Sequence, residues 1–117
     1  EDQWRCVVAL EEVENPGSYA FELTGGSFPV PGFVVRTGDR LFAYVNVCPH
    51  AGRHLQWAPH RFLTKDLRNI ICSAHGAIFE IDTGLCVAGP CLGESLRPLA
   101  TRVVEGQVAV ALPHFKN

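Results

Sequence analysis

Short apolar stretches, each broken within a few positions by glycine, proline, asparagine or aspartate, set the rhythm of this chain. None carries a convincing helical period. Residues 4–10 read as a first strand, and Tyr19-Ala20-Phe21-Glu22-Leu23 alternates as a second, after the turn signal Asn15-Pro16-Gly17. Residues 33–36 and 41–45 flank Gly38-Asp39, a hairpin signal. Near the C-terminus, residues 101–105 and 107–112 flank Gly106 as another hairpin, and Asn69-Ile70-Ile71 reads as a short strand between them. Only residues 60–66 leave room for a helical turn or two. The pattern therefore predicts an all-β fold: an antiparallel β-sandwich base built from both chain ends, with a functional segment of about residues 46–92 inserted between them.

At 117 residues the chain has the size of one domain, spanning 1–117. A formal charge of −2 and a pI near 6.2 leave no basic stripe for a nucleic-acid partner. Nothing reads as a signal peptide or as an apolar run near eighteen residues, so the expectation is a soluble, cytoplasmic protein without a membrane anchor. Thr24-Gly25-Gly26-Ser27 is a turn rather than a phosphate loop, because the lysine and the helix are missing.

The chemistry concentrates in two compact pairs. Cys48-Pro49-His50 and Cys72-Ser73-Ala74-His75 each offer one thiolate and one imidazole, and each is followed closely by glycine, at Gly52 and Gly76. One short loop is in effect written twice, on two sides of a two-sulfur, two-nitrogen metal site. Zinc accepts the same donor set, although its usual fingers use a wider cysteine pair and a histidine pair in separate segments. A Cys/His nucleophile would explain one pair and leave the duplication unexplained. The duplication points instead to a two-iron centre.

The remaining candidates carry weaker signals. Cys86 and Cys91, in Cys86-Val87-Ala88-Gly89-Pro90-Cys91, are close enough that a bridge or a second metal pair has to be considered; in a reducing compartment free thiols are expected. Cys6 in its apolar run reads as a small core residue. His60 falls in a polar, turn-rich segment, residues 55–68, and His54 immediately precedes it; both read as solvated loop histidines, and His114 in the tail reads as incidental. Leu55 and Trp57 either form an apolar patch for docking or cover the base of that loop.

The pattern Cys-x-His followed by Cys-x-x-His resembles the Rieske family, and within it the soluble, low-potential bacterial ferredoxins. His75-Gly76-Ala77-Ile78-Phe79, Asp82-Thr83-Gly84 and Gly89-Pro90 are similar to the strand, turn and covering proline loop that follow the family's second ligand pair. The resemblance implies one 2Fe-2S cluster per chain, with Cys48 and Cys72 on one iron and His50 and His75 on the other. It also implies a one-electron carrier rather than an enzyme. The carrier would take electrons from a reductase and pass them to a terminal oxygenase or another oxidoreductase, with His50 and His75 at the tip as the exit route. The alternatives are a small Rieske-like subunit of a larger reductase, such as nitrite reductase, and a zinc-binding interaction module.

Departures from the family pattern bear on the potential. Higher-potential members have an extra cysteine in each loop, joined as a disulfide, where this chain has Arg53 and Ala74, and a serine where it has Ala77. Hydrogen bonds to cluster sulfur favour the reduced state. Without them the expected midpoint lies toward the low end of the Rieske range, on the order of −150 to 0 mV. It is expected to fall at high pH, as ring nitrogens not bound to iron lose protons. The 21 residues between His50 and Cys72 are more than is usual in the family, and the surplus is expected at residues 55–68 as an enlarged rim hairpin.

Overall fold

Three antiparallel sheets are stacked so that one of them is covered on both faces. This computed structural model describes residues 4–24, 28–49 and 52–113. Ten strands are formed: β1 (Trp4–Ala9), β2 (Gly17–Leu23), β3 (Val30–Thr37), β4 (Arg40–Val45), β5 (Asn69–Ile71), β6 (Ile78–Glu80), β7 (Cys86–Ala88), β8 (Pro98–Leu99), β9 (Thr101–Val104) and β10 (Gln107–Ala111). They pair in the orders β1-β10-β9, β2-β3-β4-β8 and β5-β6-β7. The first sheet joins the two chain ends, and the third lies wholly in the connection between β4 and β8.

The hairpins form where the turn residues require them. Thr37 pairs with Arg40 around Gly38-Asp39, and Val104 pairs with Gln107 around Glu105-Gly106. In the second turn both central residues have positive φ, 50° and 78°, the conformation that matches strand twist in a two-residue hairpin. The side chain of Asn15 clasps the first turn from outside, donating to the Gly38 carbonyl at 2.7 Å and accepting from the Gly38 amide at 2.8 Å.

Strand β3 explains why the apolar run at residues 33–35 does not alternate. Phe33, Val34 and Val35 are all fully buried, because each face of the middle sheet meets a different core. Val34, with Ala43 and Val45 from β4, packs toward β1 and β10 against Val8, Val108 and Val110. Phe33, Val35 and Tyr44 point the other way, to Leu55, Phe62, Ile70, Phe79 and the cysteines of the inserted segment. Pleating sends successive residues to opposite faces, so one strand serves both layers.

Residues 55–68 differ from the expected polar rim. They form no helical turn at 60–66; instead two isolated bridges, Ala58 with Arg61 and Leu63 with Ile70, fold the segment back on itself. Leu55, Phe62 and Leu63 are buried, and Phe62 stacks on Phe33 with ring centroids 4.2 Å apart. A segment this rich in turns still supplies core, because irregular backbone can turn a few apolar side chains inward while its polar groups stay outside. His60 is not a freely solvated histidine either. Its Nδ1 accepts the Ala20 amide at 3.0 Å and its ring stacks on Tyr19 at 4.1 Å, fastening the segment to β2. Cys6, expected in the core, is exposed on β1 beside a register shift between Cys6 and Val8. Residues 25–27 of the expected turn, and His114, lie outside the described residues.

Candidate metal centre

The two Cys/His loops leave β4 and β5 and close in the same way. In the first, the Cys48 amide donates to the Arg53 carbonyl and the Gly52 amide donates to the Cys48 carbonyl, both at 2.8 Å. In the second, the Cys72 amide donates to Ala77 and the Gly76 amide to Cys72, both at 2.9 Å. Each cysteine therefore bonds four and five residues ahead. Gly52 and Gly76 take φ values of +66° and +73°, which side-chain-bearing residues adopt only with strain. The sequence duplication is thus a duplication of backbone geometry.

A further bond ties the loops to one another, from the Ser73 amide to the Leu55 carbonyl at 2.9 Å. Asn46 holds the first loop at its root. It is the only buried polar residue among those described, and its side chain accepts the Leu55 amide at 2.8 Å and donates to Gln56 at 2.9 Å. Sequence reasoning passed over it as a boundary residue. The available signal was an asparagine ending an apolar strand two positions before the first cysteine.

Cys48 and Cys72 are both buried, 2% and 1% exposed, and their thiols face each other. Burial pushes the Cys72 thiol upward and Cys48 adds to this, while the Ala74 and His75 amides, directed at its sulfur, act in the opposite sense. Amides aimed at a sulfur are the groups that stabilise a thiolate once a metal ion supplies the opposing charge. His75 sits on the exposed side of its loop. His50, the fourth candidate, lies outside the described residues. The structure brings the two sulfurs together, while among the described residues no group of three or more His, Cys, Asp or Glu side chains that could hold a metal ion is gathered; the mixed thiolate and imidazole donor set is carried by residue type and spacing.

The residues that depart from the high-potential pattern are placed too. Arg53 is exposed and contributes its carbonyl to loop closure, and Ala77 is buried, its backbone close enough to Gly89 that a β-carbon there would come within 2.8 Å of the Ala77 Cα. Ala77 offers no hydroxyl to the site. Trp57 is 55% exposed, donating its indole N–H to the Leu63 carbonyl at 3.1 Å, whereas Leu55 is fully buried; of the expected apolar patch only the tryptophan is at the surface.

A family model described as the Rieske [2Fe-2S] domain matches residues 3–113. The chain belongs to that family. A curated relative, Ferredoxin CarAc of Metapseudomonas resinovorans, is 31% identical over 108 residues, covering 92% of each chain. Among solved structures, the ferredoxin of carbazole 1,9a-dioxygenase from Nocardioides aromaticivorans IC177 superposes with a TM-score of 0.76 at 26% identity, covering 94% of this chain and 98% of its own. The Sphingomonas yanoikuyae B1 ferredoxin shares the fold, with a TM-score of 0.73 at 21% identity and coverage of 93% and 98%. The protein is thus a Rieske-type 2Fe-2S protein, and the relatives it resembles over nearly their whole length are ferredoxins. No helix among the described residues is long and apolar enough to cross a membrane.

Proposed function

We propose that Cys48, His50, Cys72 and His75 hold one 2Fe-2S cluster, the thiolates on the inner iron and the imidazoles on the outer. The protein passes single electrons from a reductase to a terminal oxygenase. The mirrored closure of the two loops around facing, buried thiols carries this reading. When bound, the cluster supplies a one-electron site. The chain's own contribution is rigidity: the loop bonds, the Asn46 clamp and the double-sided β3 hold the donors in place so that little rearranges when one electron arrives. Residues 46–92 act as the cluster-binding subdomain of a single domain whose base comes from both chain ends, and the compartment that suits its free thiols is the cytoplasm.

The oxygenase as acceptor is supported by a solved structure described as a complex of reduced oxygenase and oxidized ferredoxin in carbazole 1,9a-dioxygenase, 26% identical to this chain over 95% of it with a TM-score of 0.74. Two apolar depressions flank the candidate cluster loops here. One, of about 370 Å³, lies between Trp57, Lys65, Ile71 and Gly76; the other, of about 360 Å³, between Phe28, Pro31, Val47 and Pro49. The first borders the second loop at Cys72, Ser73 and Gly76 and the other borders the first loop at Val47 and Pro49, so apolar surface adjoins both loops. Visible absorption and EPR of the dithionite-reduced protein test the ligand set. A rhombic signal with the low average g of mixed Cys/His ligation, lost in His75→Cys, is expected. A colourless, EPR-silent protein with stoichiometric zinc would overturn it.

A further inference from the structure

Cys86 and Cys91 do not belong to the cluster's ligand set, yet they meet within the same buried core as Cys48 and Cys72. Their sulfurs are 3.2 Å apart, with the Cys91 S–H donating to Cys86, whose own S–H donates to the Ala88 carbonyl at 3.2 Å. Cys86 opens β7, and Cys91 ends the proline turn that folds back over Ala77. The turn is closed by backbone bonds from Gly93 to Cys86, Glu94 to Cys91 and Leu92 to Gly89, the last stretched to 3.3 Å. We propose that Cys86 and Cys91 are an oxidisable dithiol, a modification site whose disulfide staples the proline turn to β7 beside the cluster.

Three observations carry the proposal. A disulfide needs a sulfur separation of about 2.0 Å, so the two atoms have to close by only about 1.2 Å. Backbone already joins the two residues' neighbours across the turn, so the ring adds a link where the chain is folded back rather than pulling distant parts together. The turn above the pair is surface: Gly89, Pro90, Leu92 and Gly93 are all exposed, leaving Cys91 one layer down. A small hydroperoxide is the class of oxidant that reaches such a layer.

The hydrogen-bond sense assigns the roles. Cys86 sulfur, the acceptor of the Cys91 hydrogen bond, attacks the peroxide oxygen while its own proton passes to the leaving oxygen; the O–O bond breaks, water or an alcohol leaves, and a sulfenic acid remains on Cys86. Cys91 sulfur then attacks that sulfur, the S–O bond breaks, and hydroxide leaves with the Cys91 proton as a second water. Two thiols lose two electrons and one peroxide gains them.

The test uses the cluster-loaded full chain, treated with hydrogen peroxide, then denatured, alkylated and mapped by mass spectrometry. Exposed Cys6 is the internal control for oxidant access. Once Cys6 is oxidised, Cys86 and Cys91 are expected to escape alkylation together, joined by a link that lowers their peptide by two hydrogens, while Cys48 and Cys72 remain alkylatable. In Cys91→Ser the link disappears and Cys86 carries sulfenic or sulfinic acid instead. Persistence of both thiols when Cys6 is fully oxidised, or a link from either one to Cys48 or Cys72, overturns the proposal.

Discussion

Replacing Tyr44 by phenylalanine isolates the tie between the base and the cluster-bearing layer. Tyr44 lies on β4 facing the inserted segment, 2% exposed, and its hydroxyl donates to the Ile81 carbonyl at 2.6 Å, in the turn between β6 and β7. Its ring fills the space over Gly84, where a β-carbon would come within 2.7 Å. Phenylalanine keeps the ring and removes one hydrogen bond, leaving the Ile81 carbonyl to find water; the cost at pH 8 is about 1–1.5 kcal/mol. Burial first, and the Asp82 carboxylate second, raise the Tyr44 pKa from 10.0 to about 12. The folded state therefore holds this proton more tightly than the unfolded state. The stability that the neutral phenol confers is complete below pH 10 and is lost as pH rises toward 12. Two pKa units correspond to at most about 2.7 kcal/mol, and with Asp82 exposed and the turn at the surface about 1–2 kcal/mol is a fair expectation. Urea denaturation of both proteins, followed by circular dichroism from pH 8 to 11.5, should show wild type ahead by about 1–1.5 kcal/mol at pH 8 and the gap closing above pH 10. Other groups that titrate in this range are common to both and cancel in the difference. A gap that stays constant across the range, or no gap at pH 8, would refute the reasoning.

Asn46→Ala leaves the Leu55 amide unpaired in the core and unclamps the first loop; about 2–3 kcal/mol of stability should be lost, and iron should leave faster in a chelator-release assay. Phe62→Ala removes the stack on Phe33 between the two layers and opens a cavity, costing about 3–5 kcal/mol in denaturant titrations, which a rim loop outside the core would not show. The Asp66 carboxyl is held below its usual range chiefly by the Thr64 hydroxyl at 2.6 Å and then the Arg68 amide, so its small contribution is present above the unfolded pKa and lost as pH falls through the folded one. Asp66→Asn should accordingly lower the melting temperature slightly at pH 7 and flatten the acid side of its profile, so that the two proteins converge below about pH 4. Ala77→Ser restores a hydroxyl next to the second loop; protein-film voltammetry should find a higher midpoint than wild type, and an unchanged one would count against hydrogen bonding to cluster sulfur as the missing term.

Much of the architecture could be read along the chain because turns are local. Gly38-Asp39 and Glu105-Gly106 pair their strands within two residues, and the Cys-x-His and Cys-x-x-His pairs declare their donor chemistry by type and spacing. Apolar runs located β1, β4 and β10 to within one residue at each end, whereas β2 begins two residues earlier than its alternating run, at Gly17, and β3 three residues earlier, at Val30. Residues 55–68 were legible as turn-rich but not as core, since nothing in their composition shows that Phe62 will lie flat on Phe33, twenty-nine positions away. Cys6 misled for the complementary reason: an apolar run marks a strand, whereas a register shift decides which face each residue takes.

The sequence by itself determined the family, the candidate donors and the hairpins at Gly38-Asp39 and Gly106, because these depend on residue types and on contacts a few positions apart. The tertiary structure alone decided that β3 is buried on both faces, that Asn46 clamps the first loop and that Cys86 and Cys91 meet below the proline turn. Each of those depends on distances between segments brought together by packing, and a linear pattern does not encode that packing.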